Sequence, residues 1–339
     1  ERFVQSRQFD VAFTGAEANA AVSLANYGGE ANVVSAVPAG ELGDACINFL
    51  RQYGLDTRFV ARRGSRLGIL YVEPGASQRP SKVIYDRAGS AITELTPDDF
   101  DWPTIFSGKD WLHLSGTAPA LSESMAATVI AACKAAHEAG ARTSIDMNYR
   151  KKLWRWDPSL GPRELAEKTM REILPHIDLI IGNEEDANDV LGIRSGDTDV
   201  TKGELDIGRY PEVAKNISEQ FPQASFVAIT LRESLSASAN RWGAMLYRTE
   251  DGRAFFAPEH DGRYAPYMIT PIIDRVGGGD SFSGGLIYRL LDGCDPREAI
   301  DFAVAASCLK HSIPGDFNLV SKEEVETLMR GDASGRVQR

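Results

Sequence analysis

Asp274-Arg275-Val276-Gly277-Gly278-Gly279-Asp280-Ser281-Phe282-Ser283-Gly284-Gly285 is the stretch on which the reading of this chain turns. Three consecutive glycines ahead of a helix leave backbone N–H groups free to point at an anion, and the helix N-terminus adds about half a positive charge. Gly277, Gly278 and Gly279 therefore predict a phosphate cradle built from backbone, followed by a helix from Asp280 to Leu291. Taken alone, Asp280 reads as a helix cap worth about 0.3–1 kcal/mol. Two other phosphate motifs fail on spacing. A Walker loop needs a Lys after the glycines, and none follows. A dinucleotide fingerprint needs Gly where Phe282 stands, and then a strand where a second helix is predicted, which disfavours nicotinamide chemistry.

Upstream of this stretch the chain alternates strand, loop and helix. Helices are predicted over 16–27, 44–53, 122–139 and 164–174, the first three of them stopped by Gly28, Gly54 and Gly140. Strands are predicted over 32–36, 111–114, 143–146, 178–181 and 226–230, with a further β-run over 244–247. This alternation implies an α/β fold with a largely parallel sheet covered by helices. Between Arg62 and Ala91 the pattern changes to two extended runs, 68–73 and 82–85, separated by Pro74-Gly75 and a polar stretch. That reads as an antiparallel insert, and the extended segment Phe3 to Phe13 is expected to pair with it. Two helices close the chain, one over 296–308 and one opened by the capping box Ser321 to Glu324. The polar, glycine-containing residues 194–209 are expected to form a surface loop or insertion.

The chain has 339 residues and a formal net charge of -11, from 48 acidic and 37 basic side chains. Such a field repels nucleic acid and anionic membrane, so neither is an expected partner. An anionic ligand must then be held by a local group of arginines. The length fits one large domain with a small appendage. Four scattered cysteines without a CxxC, and five scattered histidines, indicate no zinc site and no histidine triad. Free thiols, no signal peptide and no apolar run of about 18 residues lead to the expectation of a cytoplasmic protein. The first residue is Glu1 rather than Met, so a short N-terminal segment ahead of it is expected.

In open α/β sheets ligands bind beyond the carboxyl ends of the strands. The residues that follow the predicted strands are Thr14 to Asn19, Ser115-Gly116, Asn148-Tyr149-Arg150, Asn183 to Asp186, and Leu231-Arg232. Any one of these is ordinary loop composition. Together at one sheet edge they describe a cleft.

With these motifs in order, the chain resembles the ribokinase-like (PfkB) carbohydrate kinases along essentially its whole length after about Arg2. DRVGGGDSFSGG is similar to that family's C-terminal signature, in which a glycine-rich anion hole precedes a catalytic aspartate. GAEANAAVSLANYG resembles its N-terminal signature, whose Gly and Asn contact the sugar. Within the family, GAEAN (15–19), VIYDRAGSA (83–91) and SIDMNYRKKLW (144–154) are most similar to 2-keto-3-deoxygluconate kinases.

The resemblance implies a three-layer α/β/α core (14–61 and 92–339) and a small β-sheet lid (1–13 and 62–91). It implies Asp280 as the base that activates the acceptor hydroxyl, with Gly277, Gly278 and Gly279 as the anion hole. Gly15, Asn19, Tyr85, Arg87, Arg150 and Asp316 would hold the sugar acid. Asn148, Asn183 and Thr230, with Gly277 and Gly279, would face ATP and Mg2+, and Asp186 would act on the metal through water. A homo-oligomer through the lid sheet is a further implication. Chemistry supports Arg150, because a planar guanidinium pairs bidentately with a carboxylate that a neutral hexose lacks. Three positions depart from the family pattern. Asp186 replaces the usual Glu of Asn-x-x-Glu, Arg275 stands where a small residue is commoner, and Arg232 stands where Gly is usual. The competing readings are a kinase of a neutral sugar or nucleoside, and a sugar-binding regulator without turnover.

Overall fold

The computed structural model describes residues 1–193 and 207–331. The N-terminal third holds α1 (Ala16–Asn26), β1 (Asn32–Val37), α2 (Glu41–Gln52), β2 (Asp56–Arg62), β3 (Ile69–Glu73) and β4 (Lys82–Asp86). The middle runs α3 (Trp102–Phe106), β5 (Trp111–Ser115), α4 (Glu123–Glu138), β6 (Arg142–Asp146), α5 (Pro162–Ile173), β7 (Leu179–Asn183) and α6 (Glu184–Leu191). After it come α7 (Tyr210–Gln220), β8 (Phe226–Ser236), β9 (Ala239–Arg248), β10 (Arg253–Ala257), β11 (Glu259–His260), β12 (Arg263–Tyr264) and β13 (Tyr267–Ile269). Three helices end the chain: α8 (Gly278–Leu291), α9 (Pro296–Lys310) and α10 (Lys322–Met329).

The central sheet has the order β10-β9-β8-β7-β6-β5, with β13 also paired to β9. Strands β5 to β8 are mutually parallel, whereas β9 runs antiparallel to β8, β10 and β13. The sheet is therefore mixed: β5 to β8 carry the expected parallel part, and a tight turn after Ser236 folds β9 straight back alongside β8. The period-two alternation of a strand sorts its side chains to opposite faces. Ile180, Val227, Ile229 and Met245 pack in one cluster with Leu165, Met170 and Ile173 of α5 and Ile217 of α7. Leu179, Ile181, Ala228 and Leu246 point the other way, against Phe282, Leu286, Ile300 and Ala303 of α8 and α9. Two apolar faces on one sheet require helices on both sides, which gives three layers. Among the described residues no helix is long and apolar enough to cross a membrane.

Strands β1 and β2 pair in parallel as a separate two-stranded sheet, as do the antiparallel β3 and β4. Val34 of β1 packs in the same cluster as Leu112 of β5, yet no ladder joins these strands. The expectation for residues 3–13 is corrected, since that segment forms no strand. It is tied to the β3–β4 hairpin by side chains instead: the Phe3 N–H donates to Glu73 Oε2 at 2.8 Å, and Phe9 meets the Tyr71 ring edge-on. Strand β8 runs on past Thr230, so Leu231 and Arg232 lie inside it, not in a loop after it. The expected surface loop at 194–209 lies outside the described residues, apart from a 3-10 turn at Ile207–Arg209.

Candidate active site

The carboxyl ends of the parallel strands stand in register. Ser115 is opposite Asp146, and Asn183 is opposite Thr230. The cavity over this edge is lined by Asp146, Asn148, Arg150, Asn183, Asp186 and Thr230, and by the 274–280 turn. It encloses about 2410 Å3, more than the roughly 300–1,000 Å3 of an ordinary ligand pocket. The excess arises because the cavity runs on between β1 and β5, whose residues also line it.

Helix α8 begins inside the glycine run rather than after it. Gly277 is the N-cap with φ of 76°, while Gly278 and Gly279 already belong to the first turn and Asp280 is its third residue. The left-handed backbone at Gly277 is one reason for glycine there. The other is space, since a Cβ at Gly277 would lie 1.9 Å from the Asp316 carbonyl oxygen. First-turn amides have no acceptor within the helix, so Gly279 and Asp280 present N–H groups at the positive end of the dipole. A Cβ at Gly279 would stand 3.9 Å from Asp146 Oδ2, which places this turn directly across from the end of β6.

Asp280 is held by Asn19, whose Nδ2 donates to Oδ2 at 2.6 Å. Thr14 Oγ1 lies 2.8 Å from Asn19 Oδ1 and 2.6 Å from Asp316 Oδ2, which ties the start of α1 to the 314–316 loop. Burial pushes the Asp280 carboxyl up to about 7; the charges of Glu17 and Asp316 push the same way, while the Asn19 bond and Arg150 oppose them. Asp146 is pushed up to about 8, first by burial and then by the neighbouring Asp186 and Asp280. Arg150 favours the ionised forms of Asp146, Asp186 and Asp280 alike, so its guanidinium field reaches the 277–280 turn.

Gly15, the residue before α1, has open space where a Cβ would be. Tyr85 ends the β4 face that lines the cavity, and the Arg87 guanidinium carbon sits 5.5 Å from the Tyr85 ring centroid. Glu17 accepts the Ser115 N–H at 3.0 Å and stabilises the charged form of Arg87. Asn148 has φ of 40°, and its Nδ2 donates to Ser115 Oγ at 3.2 Å. Asn183 caps α6, with its Oδ1 accepting the Asp186 N–H at 2.9 Å. Both Asp186 oxygens accept backbone N–H bonds, one from Tyr149 and one from Asn183, and the residue is 4% exposed. Asp186 thus completes a capping box at this helix start, a use that its spacing from Asn183 already encoded.

Sequence reasoning placed Thr14 and Glu17 at the cleft edge without giving either a role, and missed Asp146. Asp146 ends a predicted strand and Glu17 opens a predicted helix, so position alone could have raised them. Arg275, a departure from the family pattern, donates from Nη2 to the Ala237 carbonyl at 2.6 Å and fastens the β8–β9 turn to the 274–280 segment.

A family model described as pfkB family carbohydrate kinase matches residues 2–213 and 245–320. The chain belongs to the pfkB family of carbohydrate kinases. The crystal structure of a 2-dehydro-3-deoxygluconokinase from Thermotoga maritima superposes with a TM-score of 0.88 at 43% identity, covering 98% of this chain and 94% of that one. A 2-dehydro-3-deoxygalactonokinase of Haloferax volcanii is 29% identical over 99% of this chain and 93% of its own length. A 2-dehydro-3-deoxygluconokinase of Thermoproteus tenax is also 29% identical, over 95% of this chain and 86% of its own. As a carbohydrate kinase of this family the chain uses ATP as its phosphoryl donor, and the free amides that open α8 fit an anionic phosphate.

Proposed function

We propose that the chain phosphorylates the terminal hydroxyl of 2-keto-3-deoxygluconate, giving 2-keto-3-deoxy-6-phosphogluconate. The observation that carries this reading is a carboxylate poised near neutrality, Asp280, in one cavity with the free amides of α8 and the guanidinium of Arg150. A base is most useful when its pKa lies near the working pH, and general-base help is typically worth about 10²–10⁴-fold. Asp280 accepts the proton of the acceptor hydroxyl, while Asn19 fixes which oxygen faces it. The free amides of Gly279 and Asp280, with that of Gly277, hold the anionic oxygens as charge develops, whereas the Gly278 N–H is taken by the Arg275 carbonyl at 3.4 Å. Gly15 leaves room for the sugar, and Asn19, Tyr85, Arg87, Arg150 and Asp316 hold it, with Arg150 on the carboxylate. Asn148, Asn183 and Thr230 face the nucleotide.

ATP supplies the phosphoryl group and Mg2+ neutralises its oxygens. The residues fit an ion that arrives with the phosphates. Among the described residues no three His, Cys, Asp or Glu side chains form a metal cage, and Mg2+ is commonly held by one or two carboxylates plus substrate phosphates. Asp186 would act on it through water. Residues 62–91, with 1–13 fastened to them, form the lid that closes over the sugar and excludes competing water. The rest of the chain forms the core. The lid hairpin exposes Ile84, 53% accessible and outside the cavity lining, which supports pairing with a second copy. Four free cysteines support a cytoplasmic setting.

The test is a substrate panel with Mg-ATP: 2-keto-3-deoxygluconate, its galacto epimer, fructose and ribose. The acid is expected to give the highest kcat/KM, and Arg150→Ala to raise its KM roughly 10- to 100-fold while changing fructose turnover little. A neutral sugar turned over faster than the acids would refute the carboxylate argument.

A further inference from the structure

Lys310, the last residue of α9, is fully buried at 0% exposure, directly beneath the loop that carries Asp316. Its Nζ donates to the Ile313 carbonyl at 3.1 Å. A buried ammonium is costly unless anions surround it. Burial lowers its pKa, and the carboxylates of Asp274, Asp316 and Asp280, in that order, oppose that shift.

Two segments meet at this point. Ile273 and Asp274 both donate their N–H to the His311 carbonyl, at 2.9 and 3.3 Å. Asp274 Oδ1 accepts the Val276 N–H at 3.0 Å, and its Oδ2 accepts the Gly315 N–H at 3.1 Å. Asp274 is thus the clip between the irregular segment leading into the 277–279 glycines and the 311–316 loop. Asp316, on that loop, reaches the base through Thr14 and Asn19. Three carboxylates around one turn repel one another, and among the described residues Lys310 is the fully buried cation that offsets them.

We propose that Lys310 is a positioning residue, a built-in counter-cation that holds the 311–316 loop against the 273–277 segment and thereby fixes the anion-binding turn and Asp280. The proposal rests on the kinase reading for its activity readout, but not for its stability readout. The plainer alternative is a helix C-terminal lysine that merely satisfies a late carbonyl. The two differ in whether a free cation can replace the side chain.

Lys310→Met keeps the unbranched apolar stem as far as the ε position and removes the terminal ammonium, leaving a space about the size of an ammonium ion. In a Mg-ATP assay whose only monovalent cation is choline, the folded variant is expected to lose kcat by roughly 10- to 100-fold, with a smaller change in KM. Ammonium chloride at matched ionic strength should then restore kcat several-fold and raise the ligand-free melting temperature of the variant. Wild type should respond to neither. A variant with wild-type kcat in choline, or one whose loss and melting temperature ignore ammonium, would overturn the proposal. If Lys310→Met is unfolded in choline, folding in ammonium supports it and failure in both buffers counts against it. Because melting is read without substrate, and wild-type turnover is the reference, a failure of the kinase reading would be visible separately.

Discussion

At the scale of single residues, the chemistry of this site comes from where the chain puts charge out of water. Asp280 lies at a helix N-terminus, which by itself would lower its pKa. Burial and the nearby Glu17 and Asp316 outweigh that and raise it to about 7. A base must be unprotonated to act, so kcat/KM should fall about tenfold per pH unit below about 7 and level off above it. A pH–rate profile flat down to pH 5 would show that another group takes the proton. The residues around Asp280 were unequally legible in the sequence. Gly277 to Asp280 and Gly15 to Asn19 announce themselves, because free amides and an amide side chain beside a helix start are local signals. Thr14, Asp146 and Lys310 do not, since their roles depend on loops and strands that only folding brings alongside. The Thr14 to Asp316 contact spans 302 residues.

At the scale of elements, the start of α8 sets the precision of the site. Its N-cap combines a left-handed backbone with a carbonyl that leaves no room for a methyl group. Gly277→Ala should therefore cost roughly 1–3 kcal/mol of stability, lowering the melting temperature measurably, and should reduce kcat more than it changes KM for the sugar. Unchanged melting and kcat would mean that the turn tolerates a displaced 314–316 loop. Helix and strand cores were readable from periodicity and glycine stops, as at Gly28 and Gly140. The ends were not. Asn183 to Asp186 looked like a loop signature, although an Asn followed three residues later by a carboxylate also begins a helix. Beyond Thr230 the run Leu231 to Ser236 stays extended because β9 pairs with it, and a pairing partner is not visible from one strand alone.

Across the whole molecule, a mixed sheet between two helical layers places one edge of strand ends under a two-stranded hairpin. The three-layer arrangement was legible, because the runs in β7 and β8 are apolar on both faces. That β1 and β2 stand apart from the main sheet was not, since strand order is set by contacts distant in sequence. The exposed Ile84 on the hairpin gives the lid pairing a direct check. Ile84→Lys should shift the mass in sedimentation from a dimer or larger assembly to a monomer without unfolding the chain, and a wild type already monomeric would remove that proposal.

The claim beneath all of this is that one carboxylate at the head of α8 removes the acceptor's proton. Single-turnover formation of the 6-phosphate from 2-keto-3-deoxygluconate and Mg-ATP, comparing wild type with Asp280→Asn, tests it most directly. The asparagine keeps the size and the Asn19 contact but cannot take a proton, so product formation should slow by about 10²–10⁴-fold while the sugar still binds. Turnover by the variant close to the wild-type rate would contradict the account.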